Sequence, residues 1–372
     1  MHTTNMELKR INRNRIYQMI MQMGKTSKSE LGDELKLSLP TITQNLNALI
    51  DMDLIVEEGE FESTGGRRAK MISCNPTARV AVGMNITRNH IGIVIVDLLG
   101  NVVSSTRERF VYEDSERYYT KIQSMIDLIL HKNHVADEQI LGVGISIPAI
   151  IGGDKKTLET ALVIPFPDGL YERMRAHIRF PYFFFNDANS GGYAEFWNRK
   201  SGRDLFYFSL SGTVGGMILI HNKIFEGEDY RAAEVGHMTL IPDGPMCYCG
   251  KKGCMDTYCA SVNLSDMTDG MLAAFFEQVE QKNPLFLKKW NDYLNYLAVA
   301  INNVRMLFDC DVILGGDVGS YIDPYITELR IMLAARDTFN RSADYVKACK
   351  YHTEASAVGA GLMFVDEFIT SV

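Results

Sequence analysis

One imidazole and three thiols lie within eighteen positions of this chain: His237, then Cys247-Tyr248-Cys249-Gly250-Lys251-Lys252-Gly253-Cys254. No other stretch restricts the fold so tightly, because four such side chains converging on one ion fix the path of the loop that carries them. Zn²⁺ favours tetrahedral nitrogen and sulfur ligands, and Cys₃His is a closed, structural set. Gly250 and Gly253 suit the turns that bring Cys254 back beside Cys247 and Cys249, since glycine reaches positive φ without a Cβ clash. Buried free thiols or disulfide partners are the alternative, and the spacing favours ligation. The expected metal ligands are therefore His237, Cys247, Cys249 and Cys254, with Zn²⁺ as a structural cofactor.

The chain has 372 residues, 46% apolar and 23% charged, enough for two or three domains with sizeable cores. The N-terminal residues lack the apolar core of a secretory signal, and the run Ile91 to Val96 stops at Asp97, far short of a membrane span. A soluble cytoplasmic protein is expected. An odd count of seven cysteines also speaks against a disulfide framework. Net charge is −8, yet residues 1–50 hold seven Lys/Arg against four acids, a local +3 on an otherwise acidic chain. That asymmetry is compatible with a DNA-facing surface at one end.

The N-terminal segment has helix signals. Ser27-Lys-Ser-Glu30 reads as a capping box before a helix burying Leu31 and Leu35. Ser38-Leu39-Pro40 starts a second helix, where proline's missing N–H costs nothing, and Ile42, Leu46 and Leu49 form its inner face. An upstream helix with Ile11, Ile16 and Ile20 completes a helix-turn-helix unit whose second helix fits the major groove. Ser38, Pro40, Thr41, Thr43, Gln44 and Asn45 are the expected DNA contacts, since amides pair with adenine edges and hydroxyls with phosphates or thymine methyls. A two-stranded wing over 57–73 would present Arg67 and Arg68 to phosphate or the minor groove, or use them to bridge domains.

From Thr77 on, apolar strands (Val80 to Met84, Ile91 to Asp97, Leu141 to Ile147) alternate with helical stretches such as Tyr118 to His131, the order of an α/β fold. Phe183-Phe184-Phe185-Asn186-Asp187-Ala188-Asn189 puts an amide and a carboxylate at the end of an apolar strand, a pair suited to reading vicinal hydroxyls.

Glu234-Val235-Gly236-His237 followed by C-x-C-G-x-x-G-C resembles the signature of the ROK family of sugar kinases and sugar-responsive repressors. Ser38 to Asn75, with Gly65-Gly66-Arg67 at the wing, resembles the winged-helix head of the family's repressors, which its kinases lack. The resemblance implies a two-lobed actin-like, ribonuclease H-like sugar-kinase fold behind the winged helix. Boundaries follow: 1–75 for the DNA-binding domain, 76–190 for the first lobe with the C-terminal helix 355–372, and 191–354 for the second lobe with the zinc loop. It also implies that Asn186, Asp187, Glu234 and His237 bind sugar. Asp256, standing where the family has a glutamate two positions after the last cysteine, joins that set.

ROK kinases cradle ATP with D-x-G-G-T; here the aligned residues are Asn85-Ile86-Thr87-Arg88-Asn89, and the second glycine-rich turn reads Ser211-Gly212-Thr213-Val214-Gly215-Gly216-Met217. Phosphoryl transfer depends on positioning and on neutralising phosphate charge. The expectation is therefore no kinase activity and no catalytic residue, but a repressor that binds operator DNA as a homodimer or dimer of dimers and senses a sugar or sugar phosphate. The alternative is an ATP-dependent sugar kinase with an accessory DNA-binding head.

Overall fold

Helix α1 (Asn5–Met23) opens the computed structural model, which describes residues 5–61, 69–199, 202–339 and 341–372. Ile16, Tyr17 and Ile20 are fully buried, whereas Ile11, expected beside them, is 42% exposed. Five residues separate Ile11 from Ile16, about 140° around a helix, so the two cannot share a face. Strand β1 (Lys25–Thr26) leads to α2 (Lys28–Leu35), where both capping-box bonds form: Ser27 Oγ accepts from Glu30 N, and Glu30 Oε2 accepts from Ser27 N at 2.8 Å. Helix α3 (Leu39–Asp51) is capped by Ser38 and buries Ile42, Leu46 and Leu49. Strands β2 (Ile55–Glu60) and β3 (Lys70–Cys74) close a three-stranded antiparallel sheet ordered β1-β3-β2. Glu57 on β2 receives both Lys28 (3.0 Å) and Lys70 (2.9 Å). This is a winged helix. The wing tip with Gly65, Gly66, Arg67 and Arg68 lies outside the described residues.

The body begins with an antiparallel meander, β4 (Val80–Ile86), β5 (His90–Asp97) and β6 (Val102–Arg109). Helix α4 (Glu116–Lys132) crosses to β7 (Ile140–Ile147), which lies parallel to β4. A small ribbon, β8 (Ile150–Ile151) with β9 (Leu158–Thr160), and helix α5 (Leu170–Arg175) precede β10 (Tyr182–Asn186), parallel to β7, and α6 (Asp187–Arg199).

The second half repeats the plan. Strands β11 (Leu205–Leu210), β12 (Val214–Ile220) and β13 (Lys223–Ile224) form the meander. Helices α7 (Asp256–Cys259), α8 (Val262–Ser265), α9 (Leu272–Glu280) and α10 (Pro284–Phe308) lead to β14 (Asp311–Gly315), α11 (Gly316–Gly319), α12 (Ile326–Ala334) and β15 (Val346–Ala348). Counted within each half, both sheets have the strand order third, second, first, fourth, fifth. Two sheets with one topology are the duplicated lobes of an actin-like fold, which the alternation of strands and helices alone could not distinguish from other α/β arrangements.

Helix α13 (Ala355–Ser371) returns to cover the first sheet and packs on α6. Glycines permit its approach: a Cβ on Gly83 would overlap the Ala357 carbonyl, and one on Gly144 the Ala360 carbonyl. Backbone cannot give way as a flexible side chain does. We therefore expect Gly144→Ala to cost roughly 3 kcal/mol or more, measured as a fall in the denaturant midpoint, with most of the protein insoluble on expression. Among the described residues no helix is long and apolar enough to cross a membrane.

Candidate metal centre, ligand cleft and DNA-facing helix

The loop between β13 and α7 carries the metal cluster. After Glu234 the chain makes a single 3₁₀ turn over Val235–His237, and Cys254 pairs back to Thr239 through an isolated bridge. A tight turn at Cys247 is closed by Gly250 N donating to Cys247 O at 2.9 Å and Cys247 N to Lys251 O at 2.8 Å. Gly250 (φ +86°) and Gly253 (φ +73°) hold the left-handed backbone expected of them, and a Cβ on Gly253 would overlap the Ile241 carbonyl. The four ligand atoms of His237, Cys247, Cys249 and Cys254 lie within 4.8 Å of one another. His237 Nδ1 is 3.9 Å from Cys247 Sγ, and Cys249 Sγ is 3.7 Å from Cys254 Sγ. Burial and the Lys251 charge hold His237 below the usual imidazole range, which keeps it neutral and able to ligate. This cluster can hold a metal ion.

The other ring nitrogen, Nε2, lies 3.4 Å from the Tyr248 hydroxyl, and both side chains face a cavity of about 340 Å³ between the lobes. Asn186, Asp187, Glu234 and His237 all line it, so four of the five residues expected to bind sugar come together. Asn186 is already half engaged: its Nδ2 donates to Ala149 O at 3.1 Å and its Oδ1 accepts from Asn189 N at 2.9 Å. Those bonds orient the amide and tie the cleft wall to the first turn of α6. Burial pushes the Asp187 carboxyl up to about 6, and burial plus the Asp187 charge push Glu234 up to about 7.

Asp256 is the exception. It is buried behind the β11–β12 turn, does not line the cavity, and its Oδ1 accepts from Val214 N at 2.6 Å. The short carboxylate is spent on the backbone, where it fixes the turn whose Thr213 and Gly215 face the cleft. Thr213, Arg231 and Tyr248, none of them among the expected sugar contacts, also line the cavity. Tyr248 was discoverable, since flanking ligands Cys247 and Cys249 leave its side chain little freedom of direction.

The region aligned with the kinase phosphate turn is internally bonded. Thr87 N donates to His90 O at 3.0 Å and His90 N to Thr87 Oγ1 at 3.1 Å, while the Arg88 and Asn89 carbonyls accept from Tyr112 N and Phe110 N. The surviving glycines serve packing: a Cβ on Gly216 would press on Ala233 O and the Phe206 ring, and one on Gly315 would overlap the Tyr207 ring.

On α3, Gln44 is exposed and Thr41 and Thr43 are half-buried, and Ser38 and Pro40 are exposed at its start. Ser38 Oγ also caps the helix, accepting from Thr41 N and bonding Thr41 Oγ1 at 2.9 Å. Asn45, expected to touch DNA, is instead 5% exposed, with Nδ2 donating to Thr41 O at 2.8 Å. It completes the inner stripe at i+3 from Ile42. Gln44→Ala should therefore weaken DNA binding about tenfold without moving the melting temperature. Asn45→Ala should cost about 1 kcal/mol of stability. Anisotropy titrations and thermal unfolding separate the two.

Residues 81–367 match the ROK family and residues 9–56 match a winged helix-turn-helix DNA-binding family. The chain is 26% identical to the xylose repressor of Bacillus spizizenii over 82% of each chain, and 23% identical to a putative xylose repressor of a Caldicellulosiruptor species over 97% of each. It is 23% identical to the DNA-binding transcriptional dual regulator NagC of Escherichia coli, over 71% of this chain and 66% of that one. Its structure resembles a ROK family transcriptional regulator described as a homolog of the E. coli MLC protein, with a TM-score of 0.77 at 19% identity, covering 98% and 97% of the two chains. A ROK glucokinase from Streptomyces griseus, solved with glucose and AMPPNP, matches with a TM-score of 0.62 at 22% identity, over 76% of this chain and 98% of its own.

Proposed function

Because this chain belongs to the ROK family, we propose that it is a sugar-responsive transcriptional repressor that binds operator DNA as a dimer and senses its effector in the cleft between the lobes. One observation carries the proposal. Helix α13 is bonded at its first turn to the cleft, where Ser356 Oγ donates to the Asp187 carbonyl at 2.9 Å. At its last turn it is bonded to the winged helix: Arg13 Nε donates to Val372 O at 3.2 Å and Asn14 Nδ2 to Ile369 O. A helix fixed at both ends transmits a change in the cleft to α1 as a rigid body. A sugar that prefers one arrangement of the lobes then biases the head by the difference in its affinities. With two heads related by a two-fold axis, half-sites one helical turn or a multiple apart follow.

Zn²⁺ is the ion we assign to the cluster. Its bonds to sulfur of about 2.3 Å place tetrahedral thiolates roughly 3.8 Å apart, close to the 3.7 Å between Cys249 and Cys254. Four protein ligands leave no open position, so the ion pins the loop and turns His237 towards the cleft. Asp187 and Glu234 accept hydrogen bonds from sugar hydroxyls, Asn186 donates its remaining N–H, and Tyr248 orients the imidazole.

The reading excludes phosphoryl transfer, for which the chain lacks an acidic metal ligand at Asn85. A coupled ADP-release assay across a hexose and pentose panel tests this: turnover abolished by Asp187→Asn would establish the kinase alternative instead.

A further inference from the structure

Arg231 lines the cavity with Asp187 and Glu234 and is exposed at its mouth. Among the described residues nothing accepts a hydrogen bond or ion pair from its guanidinium. The cavity is thus two-ended, with carboxyl acceptors and an imidazole inside and an uncompensated cation at the opening.

The backbone that carries it is fixed. Tyr230 (φ 58°) and Ala233 (φ 62°) flank it in left-handed conformations that cost a side-chain-bearing residue about 1 kcal/mol each. Ala232 N donates to Glu226 O at 3.0 Å and closes the loop, and the Tyr230 ring rests against Gly153 of the opposite lobe, where a Cβ would overlap its hydroxyl. Strained backbone of this kind persists where the surroundings fix it, as at ligand clamps. A solvated surface arginine needs no such anchoring.

We infer that the effector is a sugar carrying a negative charge, a phosphate or a carboxylate, at the end remote from the hydroxyls read by Asp187 and Glu234, and that Arg231 selects it. The inference rests on the sugar-sensor reading and adds the ligand's charge. A guanidinium matches both anions in a bidentate fork, with hydrogen bonds roughly twice as strong as neutral ones.

The test uses the full chain in calorimetric titrations with glucose, mannose and N-acetylglucosamine, their 6-phosphates, and glucuronate. At least one charged member should bind about tenfold or more tightly than its neutral parent. That ratio should fall as salt rises, collapse towards one in Arg231→Met, and survive in part in Arg231→Lys. The phosphate and uronate arms identify the anion. A neutral parent that binds as well as its charged forms, or a ratio untouched by Arg231→Met, overturns the inference and leaves the sensor standing. Silence from every sugar, charged or neutral, removes the sensor reading and this inference together.

Discussion

Cys254→Ser protein is expected to purify without bound metal and to bind its sugar about 100-fold more weakly than the native chain. Cys254 is fully buried and sits where the loop returns to meet His237. A serine there leaves three ligands and a hydroxyl that Zn²⁺ binds poorly. A structural zinc is worth on the order of 10 kcal/mol to a domain that folds only around it. Here the lobes have cores of their own, so only the loop is released, and we expect a fall in melting temperature of roughly 5–10 °C. The loss of affinity follows from the loop: His237 and Tyr248 line the cleft, and both are directed by the ligand set. A chelator should reproduce the effect in native protein, and Cys349→Ala, outside the cluster, should leave the metal content unchanged.

Asp187→Asn should abolish most of the sugar response while leaving the unliganded protein at least as stable. A hydrogen bond to a charged acceptor contributes about 1.5–3 kcal/mol, so affinity should drop by about 10- to 100-fold. Stability moves the other way because the native carboxyl titrates at about 6, above its ordinary value. Such a group contributes stability while protonated, below its unfolded value near 4, and loses that contribution as pH rises through about 6. At pH 8 the buried charge is a cost that asparagine lacks. Stability of the native protein should therefore decline between pH 4 and 7, less steeply in the variant. Sugar affinity should climb over pH 5–8 as Asp187 and Glu234 become acceptors. Glu234, raised partly by the Asp187 charge, should titrate lower in Asp187→Asn.

What could be read from the residues was whatever depends on local geometry. The capping box at Ser27 and Glu30, the Ser38 and Pro40 start of α3, and the Cys₃His loop with its two glycines each declare themselves over a few positions. Asp187 and Asn186 were visible because an apolar strand ending in polar residues points them at a sheet edge. Long-range choices left weaker traces. Hydrophobic periodicity reports that Ile42 and Leu49 are buried, but nothing in the sequence marks Asn45, a polar residue within the same stripe, as bonded through its amide to Thr41 O. Asp256 lies two positions from a metal ligand, and one missing methylene with a backbone N–H nearby directs it to Val214 instead of the cleft. The matching strand orders of the two sheets, and the arrival of Arg231 at a mouth shared by both lobes, depend on pairings more than fifty residues apart that no local pattern encodes.

The most direct test is the affinity of the full-length protein for the DNA upstream of its neighbouring genes, measured by anisotropy with and without a saturating sugar that raises its melting temperature. The account predicts a change of about tenfold or more in DNA affinity, equivalent to a coupling free energy of about 1.4 kcal/mol. An unchanged affinity at sugar saturation would contradict it, because the cleft and the winged helix would then not be coupled.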